Sequence, residues 1–98
     1  MSNIKDVITE NDLLVHLGID YADDMVNQNI ARAIQYADGE LRESVCDDYP
    51  VDHPLTPELA LLYASASYEK RDLTGNELKR AEQIALKLLL VVRRRSNG

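Results

Sequence analysis

Few side chains in this sequence are of the types that carry out reactions, and their spacing favours none. His16 and His53 are the two histidines, and neither stands in an HExxH, HxH or cysteine-paired spacing that brings metal ligands together. Cys46, the single cysteine, precedes two aspartates whose negative charge opposes thiolate formation. No glycine-rich phosphate loop, GxSxG motif or recognisable pair of catalytic carboxylates occurs. We therefore predict no catalytic residue, no metal, no cofactor and no enzymatic activity.

One acidic stretch carries side chains that a divalent cation accepts as ligands. These side chains lie close together in the sequence: Asp47, Asp48, Asp52 and His53. The glycine and the ligand spacing of a calcium-binding loop are missing. Two prolines, Pro50 and Pro54, interrupt any helical period between Asp47 and Thr56. We predict a solvated acidic surface loop here rather than a metal site.

The one basic cluster is formed by Arg93, Arg94 and Arg95, near the end of the last predicted helix, where cations offset the negative end of the helix dipole. A functional alternative is contact with an acidic partner or with DNA, because the segment around Gly75 superficially resembles a helix-turn-helix. Three further cations would then contact phosphates: Lys79, Arg80 and Lys87. A net charge of −6 repels the DNA backbone, and leucines stand where polar base-reading side chains are needed. A small DNA-binding regulator is the weaker alternative.

Helices must position these side chains, because four segments space their apolar residues three and four apart. The predicted fold class is all-α, a small bundle of about four helices with short loops, and the 98 residues suit a single domain. The predicted helices run from about Asn11 to Leu17, from just after Asp20 to about Val45, from Thr56 to a break at Thr74, and from Glu77 to about Arg94. Helix caps are expected at Thr9 or Asn11, at Asp20 and at Thr56. Residues 96–98 are expected to be disordered.

The predicted core is aliphatic, because the chain has no Phe or Trp. The second helix has a one-sided stripe: Val26, Ile30, Ala33, Ile34, Ala37, Leu41 and Val45. The main face of the fourth helix is Leu78, Ala81, Ala85, Leu88 and Val92. One cysteine and no signal-peptide pattern favour a reducing, cytoplasmic setting. The longest apolar run is far short of the ~20 residues that cross a bilayer, so no membrane association is expected.

Two predicted helices have more apolar surface than one packed face can bury. Leu86 and Leu90 point away from the main face of the fourth helix, and Leu61 and Tyr68 lie opposite the main face of the third. The first helix or the N-terminal segment covers these faces within the chain, or another subunit does. Small residues between Ala60 and Ser67 permit close approach of a second helix. We predict a subunit interface at Leu61, Tyr68, Leu86 and Leu90.

The order of these features resembles that of the small head-tail connector, or adaptor, proteins of long-tailed bacteriophages, over nearly the whole chain. The first half matches in its opening helix, in Leu17-Gly18-Ile19-Asp20, in Asp23-Asp24, and in the spacing of Ile30, Ala33 and Ala37. The second half matches in Tyr68-Glu69-Lys70-Arg71 and in a leucine-rich helix that ends in arginine.

This resemblance implies a structural virion protein, made in the cytoplasm of the bacterial host and located at the head-tail junction. Its copies form a ring beneath the capsid portal, extend the DNA channel, and offer a docking surface to the tail or to the next head-completion protein. DNA passes through without specific binding. Arg93, Arg94 and Arg95 are then expected to contact the portal as part of an extended carboxyl tail. A helix-turn-helix DNA-binding regulator stays the alternative function.

Overall fold

The computed structural model describes residues 2–97, which form four α-helices and no strand in this range. A short 3-10 turn at Ile4–Asp6 precedes α1 (Glu10–Leu17), α2 (Asp24–Ser44), α3 (Thr56–Tyr68) and α4 (Gly75–Asn97). The predicted all-α class and the number of helices are confirmed. Within the described residues, no helix combines the length and the apolar character that a membrane crossing requires.

Reciprocal side-chain capping starts α1 where the sequence predicts it. The Asp12 backbone N–H donates to Thr9 Oγ1 at 3.1 Å, and the Thr9 N–H donates to Asp12 Oδ2 at 2.9 Å. Gly18 ends the helix with φ +72°, a left-handed conformation that costs glycine little. These contacts confirm the Thr9 cap and the stop at Gly18.

The cap of α2 is Asp23 rather than the predicted Asp20. The Val26 N–H donates to Asp23 Oδ1 at 2.8 Å, and α2 begins at the next residue. The residues after Asp20 stay non-helical, and Ile19 packs against the core just before them. Three aspartates in five residues offer several possible caps, and tertiary packing selects among them.

The start of α3 also differs from the prediction at its cap. Leu55 occupies the N-cap position and makes no side-chain capping bond, while Pro57 lies in the first turn as predicted. Thr56 is fully buried, and its hydroxyl donates to the Pro50 carbonyl at 2.6 Å. The threonine therefore ties the preceding loop to α3 instead of capping the helix.

The turn between α3 and α4 combines a left-handed residue with a second capping box. Lys70 has φ +54°, and the following N–H, of Arg71, donates to the Ala66 carbonyl at 3.0 Å. The Glu77 N–H donates to Thr74 Oγ1 at 3.2 Å, and Glu77 Oε1 accepts from the Thr74 N–H at 2.9 Å. This box starts α4 at Gly75, two residues before the predicted start.

The carboxyl end of α4 extends further than predicted. The helix continues through Ser96 and Asn97, past the predicted end at about Arg94. Gly98 lies outside the described residues.

Packing centres on α3, which contacts each of the other three helices. The predicted stripe of α2 is confirmed, since all of its members are buried except Val26, which is partly buried against the core. In α4 the buried face is rotated from the prediction, because Ile84 is buried and Leu78 is 48% exposed. The side chains of α4 that are buried are Ala81, Ile84, Ala85 and Leu88.

Candidate functional site

The outer side of α4 carries three exposed leucines close together, and two of them were predicted to lie at a subunit interface. Leu86, Leu89 and Leu90 are 61%, 41% and 42% exposed, and we call them the α4 leucine surface. They are exposed because α4 packs mainly against α3 and buries its opposite side there. The sequence predicted Leu86 and Leu90 at a surface and missed Leu89, although its spacing of three from Leu86 was a usable signal.

The apolar residues predicted at the second face of α3 are partly covered within the chain. Leu61 and Tyr68 are both partly buried against the core. Leu61 lies beside residues of the N-terminal segment and α1, among them Ile8 and Val15. The intrachain alternative therefore accounts for part of this face of α3, and the subunit interface at Leu61 and Tyr68 stays a prediction.

The small residues of α3 also have a role within the chain. Ala60, Ala64 and Ser65 are buried in this single copy, so they allow neighbouring elements of the same chain to approach α3 closely. The prediction that they serve contact between subunits is wrong, because their surface is already occupied.

The three arginines predicted to contact the portal lie in the last turns of α4 and not in an extended tail. Arg95 donates through its two terminal nitrogens to the carboxylate of Asp52, at 2.9 and 3.2 Å. Hydrogen bonding from Arg95 lowers the pKa of Asp52. Arg93 and Arg94 are exposed and form no ion pair within residues 2–97. Two of the three cations are therefore available to a partner.

The acidic loop is anchored to α2 at residues that the sequence analysis did not single out. Tyr49 is 1% exposed, and its hydroxyl donates to Asp38 Oδ1 at 2.6 Å. The Arg42 guanidinium donates to Asp38 at 3.1 Å, to the Asp47 carbonyl at 2.7 Å and to the Ser2 carbonyl at 2.8 Å. We call Ser2, Asp38, Arg42 and Tyr49 the loop clasp. The loop is exposed at several aspartates but is not a freely solvated segment.

The loop clasp joins the acidic loop to α2 and to the N-terminal segment through hydrogen bonds. Burial, followed by the hydrogen bond to Asp38, raises the pKa of Tyr49, so its phenol stays protonated and donates. In the same loop, His53 Nδ1 accepts from the Leu55 N–H at 3.1 Å, and Asp52 is paired with Arg95. No group of three or more potential metal ligands occurs in the part of the chain that the structure describes.

A second surface feature, which the sequence analysis missed, lies near the amino end of α4. Tyr36, Glu40, Tyr63, Asp72 and Leu78 line a cleft of about 340 Å³, and we call it the tyrosine cleft. Tyr36 is 51% exposed, and its pKa is raised first by the charge of Glu40 and also by that of Asp72. The cleft therefore combines aromatic rings with negative charge.

The cation that lines the tyrosine cleft is already paired. Arg71 donates to both carboxylate oxygens of Glu77, at 2.7 and 3.2 Å, and to Glu69 at 3.2 Å. Hydrogen bonding from Arg71 is the main reason why the pKa of Glu77 is lowered to about 2. Glu40 and Asp72 are thus left as the uncompensated charges among the lining residues.

The helix-turn-helix alternative requires cations on the surface of α4. Arg80 donates through Nε and one terminal nitrogen to the two carboxylate oxygens of Glu58, so its side chain is held against α3. Lys79 and Lys87 are exposed, but the α4 leucine surface occupies the outer side of the same helix. These observations give no support to the DNA-binding alternative.

Comparisons with known proteins give no relative of this chain. No protein-family model, no curated protein and no solved structure matches it. The resemblance to head-tail connectors drawn from the residues therefore remains a prediction.

Proposed function

We propose that this chain is a structural virion protein, the subunit of an oligomeric ring that joins the portal of a long-tailed bacteriophage capsid to the tail or to the next head-completion protein. The observation that carries the proposal is the α4 leucine surface, an exposed apolar face on an otherwise charged helix. The order of sequence signatures adds the specific connector role. Together these features support a protein that works by assembly.

The α4 leucine surface suits an assembly held by many weak contacts between subunits better than it suits one strong pairwise contact. Fully burying a leucine contributes about 1.5–3 kcal/mol, so burying the exposed half of each contributes about 1 kcal/mol. Three such side chains stabilise a pairwise contact only modestly. In a closed ring each subunit makes two contacts and no end is left unpaired, so modest interfaces hold the assembly together.

The charge of the chain suits a channel for DNA. A net charge of −6 disfavours tight phosphate contacts, which would retard a polyanion moving through the ring. The portal contact stays a prediction for the carboxyl end of α4, where Arg93 and Arg94 are exposed. Arg95 supports it less, because Asp52 already binds it.

The proposal is tested by the solution mass of the protein, measured by light scattering over a wide range of concentrations, with negative-stain images of the largest species. We expect the wild type to form a closed multi-subunit assembly that is lost in Leu90→Glu. Helicity should be unchanged in the variant, because Leu90 is 42% exposed. Met25→Glu is the matched control, since Met25 is 71% exposed near the start of α2 and lies in none of the recesses formed by the predicted interface residues, and should assemble as the wild type does.

A wild-type chain that stays monomeric at every concentration contradicts a self-assembling subunit. Duplex DNA binding is measured in parallel, and we expect it to be weak or absent. Strong binding by the monomer, falling steeply as salt rises, would identify the DNA-binding regulator instead.

A further inference from the structure

We infer that the basic carboxyl end of α4 in one copy docks into the tyrosine cleft of a second copy of this chain. The inference rests on the proposed self-assembly and names its contacting surfaces: Arg93 on one copy, which leaves Arg94 for the predicted portal contact, and Tyr36, Glu40, Tyr63 and Asp72 on the other. The partner is therefore identical to the chain itself.

At the basic carboxyl end of α4, the Arg93 side chain lies beside the α4 leucine surface. Arg93 follows Leu86 by seven residues and Leu89 by four, spacings that place all three on one side of the helix. The same three side chains line a shallow apolar recess. The bidentate pair between Arg95 and Asp52 attaches the last turns of α4 to the loop. The Arg93 guanidinium is thus presented from a helix and has no acidic partner in its own chain within the described residues.

The tyrosine cleft has the chemistry that binds a guanidinium. Arginine pairs with carboxylates through two parallel hydrogen bonds and also packs against the faces of aromatic rings. Glu40 and Asp72 supply carboxylates, and Tyr36 and Tyr63 supply rings. Because Glu77 and Glu69 neutralise Arg71, the incoming cation meets a negative site.

The arginines cannot reach the cleft of their own chain. Leu78 lines the cleft, and Arg93 lies fifteen residues further along the same helix. At 1.5 Å per residue this separation is about 22 Å along the helix axis, well beyond the length of an arginine side chain. The opposite charges at the two ends of α4 can therefore meet only between copies.

The contact is tested by charge reversal on each side and on both sides together. Arg93→Glu and Asp72→Arg should each raise the dissociation constant of self-association at least about tenfold, which corresponds to about 1.4 kcal/mol. The double variant should recover most of this loss, because the pair is restored with its charges exchanged. Lys5→Glu makes the same charge change as Arg93→Glu at an exposed lysine of the 3-10 turn, which belongs to neither contacting surface, and should leave association unchanged. Asp20→Arg is the corresponding control for Asp72→Arg.

The number of copies in the assembly distinguishes a failure of this proposed contact from a failure of the proposed ring. Charge-reversal losses that the double variant repairs, in an assembly of many copies, support both proposals. The same pattern in an assembly that stops at two copies supports the contact and refutes the ring, since two-fold antiparallel pairing of α4 satisfies both ends at once. Assembly that is indifferent to both reversals, or a chain that is monomeric at every concentration, overturns the contact.

Discussion

Tyr49 is predicted to be a main determinant of stability, and Tyr49→Phe tests its hydroxyl alone. The phenol is 1% exposed and donates to Asp38 at 2.6 Å. A hydrogen bond to a charged group contributes about 1.5–3 kcal/mol. Because Asp38 keeps its contact with Arg42 in the variant, we expect a loss at the low end, about 1.5 kcal/mol. For a domain of this size, that loss lowers Tm by about 6–12 °C.

The same variant should change how stability depends on alkaline pH. Folding raises the pKa of Tyr49 above its ordinary value of 10.0, so the folded state holds the phenolic proton more tightly than the unfolded state does. The resulting stabilisation is fully present below pH 10 and is lost as the pH rises through the folded pKa. Tyr49→Phe removes this part of the alkaline destabilisation, and the part due to Tyr36 and Tyr63 remains.

The assay is thermal and urea unfolding followed by circular dichroism at 222 nm, between pH 7 and pH 11. Tyr21→Phe is the matched control, because Tyr21 is 81% exposed and its hydroxyl makes no hydrogen bond to any of residues 2–97. The reasoning is refuted if Tyr49→Phe unfolds at the wild-type temperature, or if its stability falls with alkaline pH as steeply as that of the wild type.

Three other perturbations test separate parts of the fold by the same unfolding measurements. Lys70→Gly should raise stability by about 0.5 kcal/mol, because glycine adopts φ +54° without strain, whereas Lys70→Ala should give no gain. The stability advantage of the wild type over Glu77→Gln should shrink as the pH falls from about 4.5 to about 2, since protonation of Glu77 removes its ion pair with Arg71; a constant difference would contradict the lowered pKa. Ala60→Leu should destabilise the protein by about 1–3 kcal/mol, because Ala60 is 0% exposed in α3, and a neutral result would show unfilled space beside that helix.

Helix positions were predictable because their signals are local. The Thr9 capping box, the left-handed Gly18 and the apolar stripe of α2 each involve residues within a few positions of one another. Where several local signals compete, as among Asp20, Asp23 and Asp24, the sequence does not decide which carboxylate caps the helix. The error at the start of α2 is of this kind.

The sequence predicted that α3 and α4 each have a second apolar face, but it did not predict which elements cover those faces. An excess of apolar side chains shows that a helix contacts more than one partner, but it does not say which partner. For α3 the partner includes α1 and the N-terminal segment, where Ile4 and Ile8 are buried. For α4 the described chain supplies no cover over the leucine surface. The difference depends on where α1 packs, which is a contact between residues distant in sequence.

The loop clasp gave no signal in the sequence for the same reason. Tyr49 lies in an acidic stretch with two prolines, a composition typical of an exposed loop. Its partners lie eleven residues away, at Asp38, and forty-seven residues away, at Ser2, whose hydroxyl donates to the Tyr49 carbonyl. Hydrogen bonds between distant residues follow no period, so only the folded arrangement shows them.

The contacts that hold α4 within the chain become fewer toward its carboxyl end, which is the part that a second copy is proposed to cover. Its fully buried contacts end at Leu88, and beyond that residue Val92 is only partly buried. The last turns are held also by the pair between Arg95 and Asp52, which is exposed to solvent and therefore stabilises them only weakly. We therefore expect amides in residues 89–97 of the free chain to exchange with deuterium faster than those in residues 81–88.

Assembly should reverse this difference in exchange. A second copy that covers the α4 leucine surface and binds Arg93 adds contacts to the part of α4 that has fewest within its own chain. Peptides covering residues 89–97 should then gain more protection on assembly than any other part of α4, and Leu90→Glu should prevent that gain. Equal protection along α4 in the free chain, or a gain confined to other helices on assembly, would mean that copies associate through a different surface.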